Sequence, residues 1–380
     1  MKRYLAVPDS FKGTLTSGQI CDILADCVRR CDPSARLRAI PVADGGEGTV
    51  DAFLAALGGE KITLPVAGPY FEERTAFYGI LEGSPRTAVI EMAACAGLPL
   101  VEGREDPLRT TTYGVGQLIA DALARGCEKI LLGLGGSCTN DGGAGAAAAL
   151  GVRFLDDKGV PFIPVGGTLG RIAVVDCSGL DPRLAAAEKV AICDIDNPFY
   201  GPSGAAAVFA PQKGATPEQV MQLDGGLRRL AEVVLAETGR DLQLLPGAGA
   251  AGGMGGGVCA LLGFRLQMGI DALLDAVHFD DLLRETDLVF TGEGRIDSQS
   301  LRGKVVVGVA RRARAQGVPV IALVGEIGEG AEAAYAEGVS GIFSINPRAE
   351  AFATARHRSA DNLRQTADNL LHFCQSMGWQ

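Results

Sequence analysis

Four stretches of this 380-residue chain set glycine beside oxygen- and nitrogen-bearing side chains at spacings that suit phosphate or carboxylate chemistry. The first is Ile130-Leu131-Leu132-Gly133-Leu134-Gly135-Gly136-Ser137-Cys138-Thr139-Asn140-Asp141-Gly142-Gly143, an apolar strand entering a glycine turn and then an alanine-rich helix. Such a turn points backbone N–H groups at an anion, and hydroxyls add donors. Gly135, Gly136, Ser137, Thr139, Asn140 and Asp141 are therefore candidate phosphate ligands. The competing reading is that Thr139, Asn140 or Asp141 caps the helix while the glycines only make a tight turn. The second stretch runs from Pro246 to Gly257, in which Gly247, Gly249 and Gly252 match G-x-G-x-x-G. A proline stands where the dinucleotide fingerprint wants a strand, and more glycine follows, which argues against NAD. What remains is a phosphate-approaching loop carried by Gly249, Gly252 and Gly253, or a flexible linker. The chain has no G-x-x-x-x-G-K-[ST] motif, so it is not a P-loop enzyme.

The third stretch, Val190-Ala191-Ile192-Cys193-Asp194-Ile195-Asp196-Asn197-Pro198, ends an apolar strand in two carboxylates. Alternation along a strand puts Asp194 and Asp196 on one side, where one can hold Mg2+ and the other accept a substrate proton. A turn in which Asp196 caps and Asn197-Pro198 starts a loop is the alternative. The fourth, Leu288-Val289-Phe290-Thr291-Gly292-Glu293-Gly294-Arg295-Ile296-Asp297, lies at the end of a probable parallel strand, where open α/β sheets bind ligands. Thr291, Glu293, Arg295 and Asp297 can meet a ligand there, Arg295 offering a planar fork for carboxylate or phosphate; the alternative is a polar loop with an internal Arg295–Asp297 pair. Asp9-Ser10-Phe11-Lys12-Gly13 follows the first strand and Asp44-Gly45-Gly46-Glu47-Gly48 the second, so both fall on the same edge, although Asp44 and Glu47 also have capping-box spacing. Lys12, Lys213 and Lys304 are glycine-flanked lysines that can neutralise phosphate, or plain surface residues.

The elements that must hold these residues follow a βα alternation. Residues 4–7 read as a strand, and Ile20, Ile23, Leu24, Cys27 and Val28 recur at helical spacing behind a Thr16/Gln19 capping box. A strand at 37–42 and a helix carrying Val50, Phe53, Leu54 and Leu57 follow, and the alternation returns between 288 and the C-terminus. Between about 69 and 284 the texture changes to long glycine-rich turns. The expected fold is α/β: a discontinuous flavodoxin- or Rossmann-like parallel-sheet domain (1–68 plus 285–380) with a second mixed α/β domain (69–284) inserted, the cleft between them being the default ligand site.

Composition narrows the classes. Hydrophobic residues at 47% and charged residues at 21% are ordinary for a globular chain, while 53 glycines are about twice the usual share. A net charge of −10 disfavours nucleic acid. The N-terminal apolar run is cut at Pro8, too early for a signal peptide, and no 18-residue apolar run occurs, so a cytoplasmic protein without membrane partners is expected. Ten cysteines without a C-x-x-C pair read as buried reduced thiols. Three histidines without ligand spacing, and no G-x-S-x-G, give no support to hydrolase chemistry.

The blocks Pro8-Asp9-Ser10-Phe11-Lys12-Gly13-Thr14-Leu15, Ala43-Asp44-Gly45-Gly46-Glu47-Gly48-Thr49, Gly135-Gly136-Ser137 through Thr139-Asn140-Asp141-Gly142-Gly143, Asp194 through Asp196-Asn197-Pro198, Pro211-Gln212-Lys213-Gly214, Pro246-Gly247-Ala248-Gly249 and Thr291-Gly292-Glu293-Gly294-Arg295 occur in order along the whole chain. Together they resemble the bacterial glycerate kinase family. Cys138 stands where alanine is expected, and Ser300 where threonine is usual. The resemblance implies ATP and D-glycerate as substrates, phosphoglycerate as product, Mg2+ as cofactor, and a flavodoxin-like domain with a second α/β domain inserted; a homo-oligomer is compatible with it. On that footing the loops 133–143 and 247–253 are expected to cradle ATP phosphates. Asp194 or Asp196 is expected to bind Mg2+ or orient the glycerate hydroxyl, and Lys12 and Arg295 to meet the glycerate carboxylate and the transferred phosphoryl. Asp9, Ser10, Asp44, Glu47, Glu293 and Asp297 are expected around the substrate. An NAD-linked oxidoreductase and a non-enzymatic hydroxy-acid sensor are the competing classes.

Overall fold

The computed structural model describes residues 1–42, 46–298, 300–302, 304–348 and 352–376, so Asp44 lies outside the described residues. The chain divides into two compact units, one made of Met1–Ala43 with Met268–Gln380, the other of Asp44–Gln267.

The first unit is built on five parallel strands in the spatial order Gly341–Ser344, Val320–Ile327, Leu288–Ile296, Arg3–Pro8, Arg36–Ala39. The order turns back at the pair Arg3–Pro8/Leu288–Ile296, and in a doubly wound sheet ligands bind outside the carboxyl ends of the strands at such a point. Strand alternation sends Tyr4, Ala6, Leu288, Phe290, Ile321 and Leu323 into one core with helices Ser17–Cys31 and Ser359–Ser376. The first of these helices begins where the sequence places it: Thr16 Oγ1 accepts from the Gln19 amide at 3.2 Å and the Gln19 side chain accepts from the Thr16 amide at 2.9 Å. Helix Val305–Ala315 packs against the two central strands and against helix Gly269–Ala276.

The second unit carries a six-stranded mixed sheet. Arg265–Gln267, Glu188–Ile192, Lys129–Gly133 and Thr87–Glu91 run parallel, and Glu73–Leu81 with Gly59–Ala67 adds an antiparallel hairpin at the edge. A small antiparallel sheet of Pro161–Phe162, Arg153–Leu155 and Val174–Asp176 stands apart from it. Among the described residues no helix is long and apolar enough to cross a membrane.

The division between the units falls at 43/44 and 267/268 rather than at 68/69 and 284/285. The reason is pairing. Gly59–Ala67 zips to Glu73–Leu81 along its whole length, from Gly59↔Leu81 to Ala67↔Glu73, so a boundary at 68 would cut a hairpin. Helix Thr49–Leu57, which buries Val50 and Phe53, packs on that hairpin and on Thr87–Glu91. At the far side, helix Gly269–Ala276 docks on Val305–Ala315 and so joins the first unit.

Candidate active site

The parallel strands of the second unit end at Glu91, Gly133, Ile192 and Gln267, and the segments beyond the first three, with residues 209–213 and 250–251, border a cavity of about 310 Å³. Its apolar side is Leu98, Leu134, Ile192 and Phe209; its polar side is Gly135, Gly136, Ser137, Asp194 and Lys213. The turn is anchored by its carbonyls and flanks: Leu98 N donates to Gly136 O at 2.8 Å and Cys138 N to Ala96 O at 2.9 Å. The amides of Gly135, Gly136 and Ser137 donate to no acceptor within the described residues. Three successive amides without partners among the described residues, in residues that border a cavity, are an arrangement that can accept an anion.

Lys213 is not the surface residue that its glycine-flanked setting allows. It is 2% exposed, donating from Nζ to Ser137 Oγ at 2.9 Å and to Thr139 O at 2.6 Å. Burial pulls its pKa down to about 8, with the neighbouring Cys138 and Asp141 opposing that shift.

Behind the turn the chain departs from the expected ligand set. Asp141 is fully buried and its carboxylate accepts from Thr112 N (2.7 Å), Thr112 Oγ1 (2.9 Å), Gly143 N (3.1 Å) and Gly145 N (3.2 Å). Thr112 Oγ1 also accepts from Ala146 N at 2.9 Å, so the carboxylate ties the start of helix Tyr113–Ala124 to that of Ala144–Ala149. With its oxygens so engaged, Asp141 is a structural anchor and not a phosphate ligand; burial pushes its carboxyl up while the donors pull it down. Thr139 and Asn140 are likewise at 0% exposure and do not line the cavity, and Thr139 Oγ1 and both Asn140 amide atoms lack a partner among the described residues.

The second glycine loop is corrected in the same way. A Cβ on Gly252, where φ is +66°, would lie 2.0 Å from Thr139 O, and one on Gly249 would lie 2.3 Å from Pro198 O. These glycines let the loop press against the protein's own backbone, and Gly253 opens helix Met254–Leu262. The residues of this loop that border the cavity are Ala250 and Ala251, the latter at the strained φ of +54°.

Strand Glu188–Ile192 stops before the two carboxylates, so strand alternation does not govern them. Asp194 and Asp196 are both exposed; Asp194 borders the cavity and Asp196 does not. No cluster of three His, Cys, Asp or Glu side chains suited to a metal ion occurs among the described residues. One carboxylate beside a phosphate-sized turn is nevertheless a donor set that fits Mg2+, which phosphotransferases hold by one or two carboxylates plus the substrate's phosphates. Glu47 is exposed, and helix Thr49–Leu57 takes Gly48 as its N-cap, with φ +87°. The group that reaches that helix end is Glu91, unmarked in the sequence: it is 3% exposed and accepts from Val50 N at 2.5 Å.

The carboxyl edge of the first unit also carries a cavity, of about 500 Å³, bordered by Lys12, Thr14, Glu326, Asn346 and Arg356. Lys12 is exposed, and Asp9 and Ser10 are half-buried, the Ser10 amide donating to Asp9 Oδ1 at 2.6 Å. Arg295 makes the internal pair that the sequence allowed, 3.2 Å to Asp297 and 3.6 Å to Glu326, with its side chain 56% exposed. Glu293 is 4% exposed, and its Oε1 has no partner. Burial first, then the nearby charges of Asp9 and Asp297, push its carboxyl up to about 7 against a hydrogen bond from Ser300 and the charge of Lys304. Asn346 and Arg356 lie in no motif, and only the fold brings them to this edge.

A doubly wound unit with a polar carboxyl edge, and a second unit with a glycine turn beside a buried ammonium but no P-loop, are compatible with an α/β phosphotransferase. The chain belongs to the glycerate kinase family, whose model matches residues 4–375. It is 45% identical over 371 residues to the glycerate kinase of Halalkalibacterium halodurans, and 40% identical over 369 residues to the glycerate 2-kinase of Escherichia coli, each match covering 97% of both chains. A crystal structure assigned to glycerate kinase 2 of Salmonella typhimurium LT2 superposes with a TM-score of 0.87 at 40% identity over 100% of both chains. The protein is thus a kinase acting on glycerate, and kinase chemistry implies ATP as the phosphoryl donor.

Proposed function

We propose that the protein transfers the γ-phosphoryl group of ATP to the 2-hydroxyl of D-glycerate, giving 2-phosphoglycerate. The choice of the 2-hydroxyl is supported by the full-length similarity to a relative named glycerate 2-kinase. The turn of three amides without chain partners at the second unit's cavity supports placing the donor's phosphates there, and Leu98, Leu134 and Phe209 provide the apolar wall a nucleotide needs. Asp194 would hold Mg2+ against those phosphates; when bound, the ion neutralises the charge that develops on the transferred group. Gly135, Gly136 and Ser137 orient the phosphates through their amides.

On the first unit, Lys12 would bind the glycerate carboxylate, with Asp9, Ser10 and Asp297 around the hydroxyls. Arg295 would need to exchange Asp297 for the ligand, so it is the weaker of the two cations for this task. This frame, with strand order 2-1-3-4-5, is the flavodoxin-like one.

Phosphorus NMR of the product made from ATP and D-glycerate tests the proposal. A resonance coupled to the C2 proton is expected. One coupled to the C3 protons would reassign the acceptor, and absence of ADP release would overturn the kinase reading. An absorbance change in the nicotinamide band during turnover would favour the oxidoreductase class instead.

A further inference from the structure

On the reading that the second unit's cavity takes the nucleotide, one residue lacks a part in the chemistry. Lys213 is the one fully buried lysine among the described residues, and its two hydrogen-bond partners, Ser137 Oγ and Thr139 O, are both neutral. The nearby Asp141 spends its oxygens on four other donors. An ammonium taken out of water without a hydrogen-bonded counter-charge is disfavoured, and buried charges are ordinarily paired or coordinated. This one borders a cavity together with Gly135, Gly136 and Ser137, whose amides have no acceptor among the described residues. An ammonium has three N–H donors, and two are used. The counter-charge missing from the protein is therefore an anion in the cavity, and the same anion satisfies the three amides.

We propose that Lys213 is a catalytic residue that holds the polyphosphate chain of the nucleotide: its third N–H meets a non-bridging phosphate oxygen, while its bonds to Ser137 and Thr139 O fix the turn 135–137 so that the amides face the same oxygens. The cation is preorganised. Its position is set by two short bonds before the ligand arrives, so little reorganisation accompanies charge neutralisation. A lysine reaching across a loop, by contrast, would be ordered only on binding.

Lys213→Met keeps the aliphatic stem and removes the charge. The expected result is a folded enzyme whose KM for ATP and Kd for ADP rise by about thirtyfold or more, while the KM for D-glycerate stays within about threefold. A purely structural strut would lower stability without that split between the two substrates. A folded Met variant that binds ADP within about twofold of the wild type overturns the assignment, and if the wild type binds ADP normally in that case, the nucleotide reading itself stands. A wild-type enzyme that neither binds ADP nor releases it overturns both. Should the variant fail to fold, the unmodified enzyme labelled with 15N at lysine Nζ serves. The slowly exchanging signal of the buried ammonium should shift on adding ADP and stay fixed on adding D-glycerate alone; no shift with ADP at saturation overturns the proposal.

Discussion

The two units each present the carboxyl edge of a parallel sheet, yet they treat charge in opposite ways. In the second unit three charged groups are buried and bonded to the chain, with Asp194 left exposed at the cavity: Asp141 takes four donors, Glu91 takes the Val50 amide, and Lys213 is held by Ser137 and Thr139 O. In the first unit Lys12 and Arg295 are exposed, and the buried Glu293 keeps an oxygen without a partner. Groups locked by bonds to backbone keep their geometry before a ligand comes, which suits a phosphate chain whose transfer depends on positioning. Exposed cations adapt to a small acid at lower stability cost, because water already solvates them.

The largest test of the contrast is Asp141→Ala. Removing the carboxylate strands four buried donors, and a loss of about 3–5 kcal/mol in urea unfolding is expected. A loss under about 1 kcal/mol would mean the anchor is not one.

Glu293→Gln probes the opposite edge. Because the folded-state pKa of Glu293 is raised to about 7, the neutral form is the one the fold favours. Its stability contribution is complete below about pH 4.5 and is lost as pH rises through about 7. The glutamine variant should therefore gain on the wild type across that window, by about 3 kcal/mol at most, in unfolding curves run at pH 4.5 and 8. An unchanged difference between the two pH values would show that Glu293 is solvated as an ordinary carboxylate.

Next in size is a pair of variants on one loop. Asp194→Asn should lower kcat with ATP and D-glycerate by about a hundredfold, while Asp196→Asn, away from the cavity, should stay within about fivefold. Reversal of that order would move the metal-binding role to Asp196. Lys12→Met should raise the KM for D-glycerate about tenfold with the KM for ATP unchanged, and Arg295→Met should have the smaller effect on the same constant. An Arg295 effect larger than that of Lys12 would show that Arg295 leaves Asp297 to meet the substrate.

Much of this was legible in the residues. The capping box at Thr16, the strand at 129–133, the start of the strand at 288–290, the turn at 135–137 and the βα alternation all follow from local periodicity and turn chemistry, whose range is a few residues; the strand's run on to Ile296, through residues that read as a polar loop, does not. The sequence also narrowed Arg295 to two readings, of which the pair with Asp297 is present. The loop 247–253 borders the cavity through Ala250 and Ala251 and not through its glycines, because a glycine shows that backbone comes close to something without saying to what; here the neighbours of Gly252 and Gly249 are Thr139 O and Pro198 O. The unit boundaries were displaced because hairpin pairing, not a change of composition, holds 59–67 with 73–81.

By itself the sequence determined the family, the α/β class, the absence of a P-loop and the glycine turn at 135–137, since each depends on residue order within short segments. Only the tertiary structure decided which charges are buried. Lys213 meets Ser137 across 76 positions and Asp141 meets Thr112 across 29, and desolvation depends on everything packed around a group. That is why the same residue types became an anchor in Asp141, a held cation in Lys213 and an exposed carboxylate in Asp196.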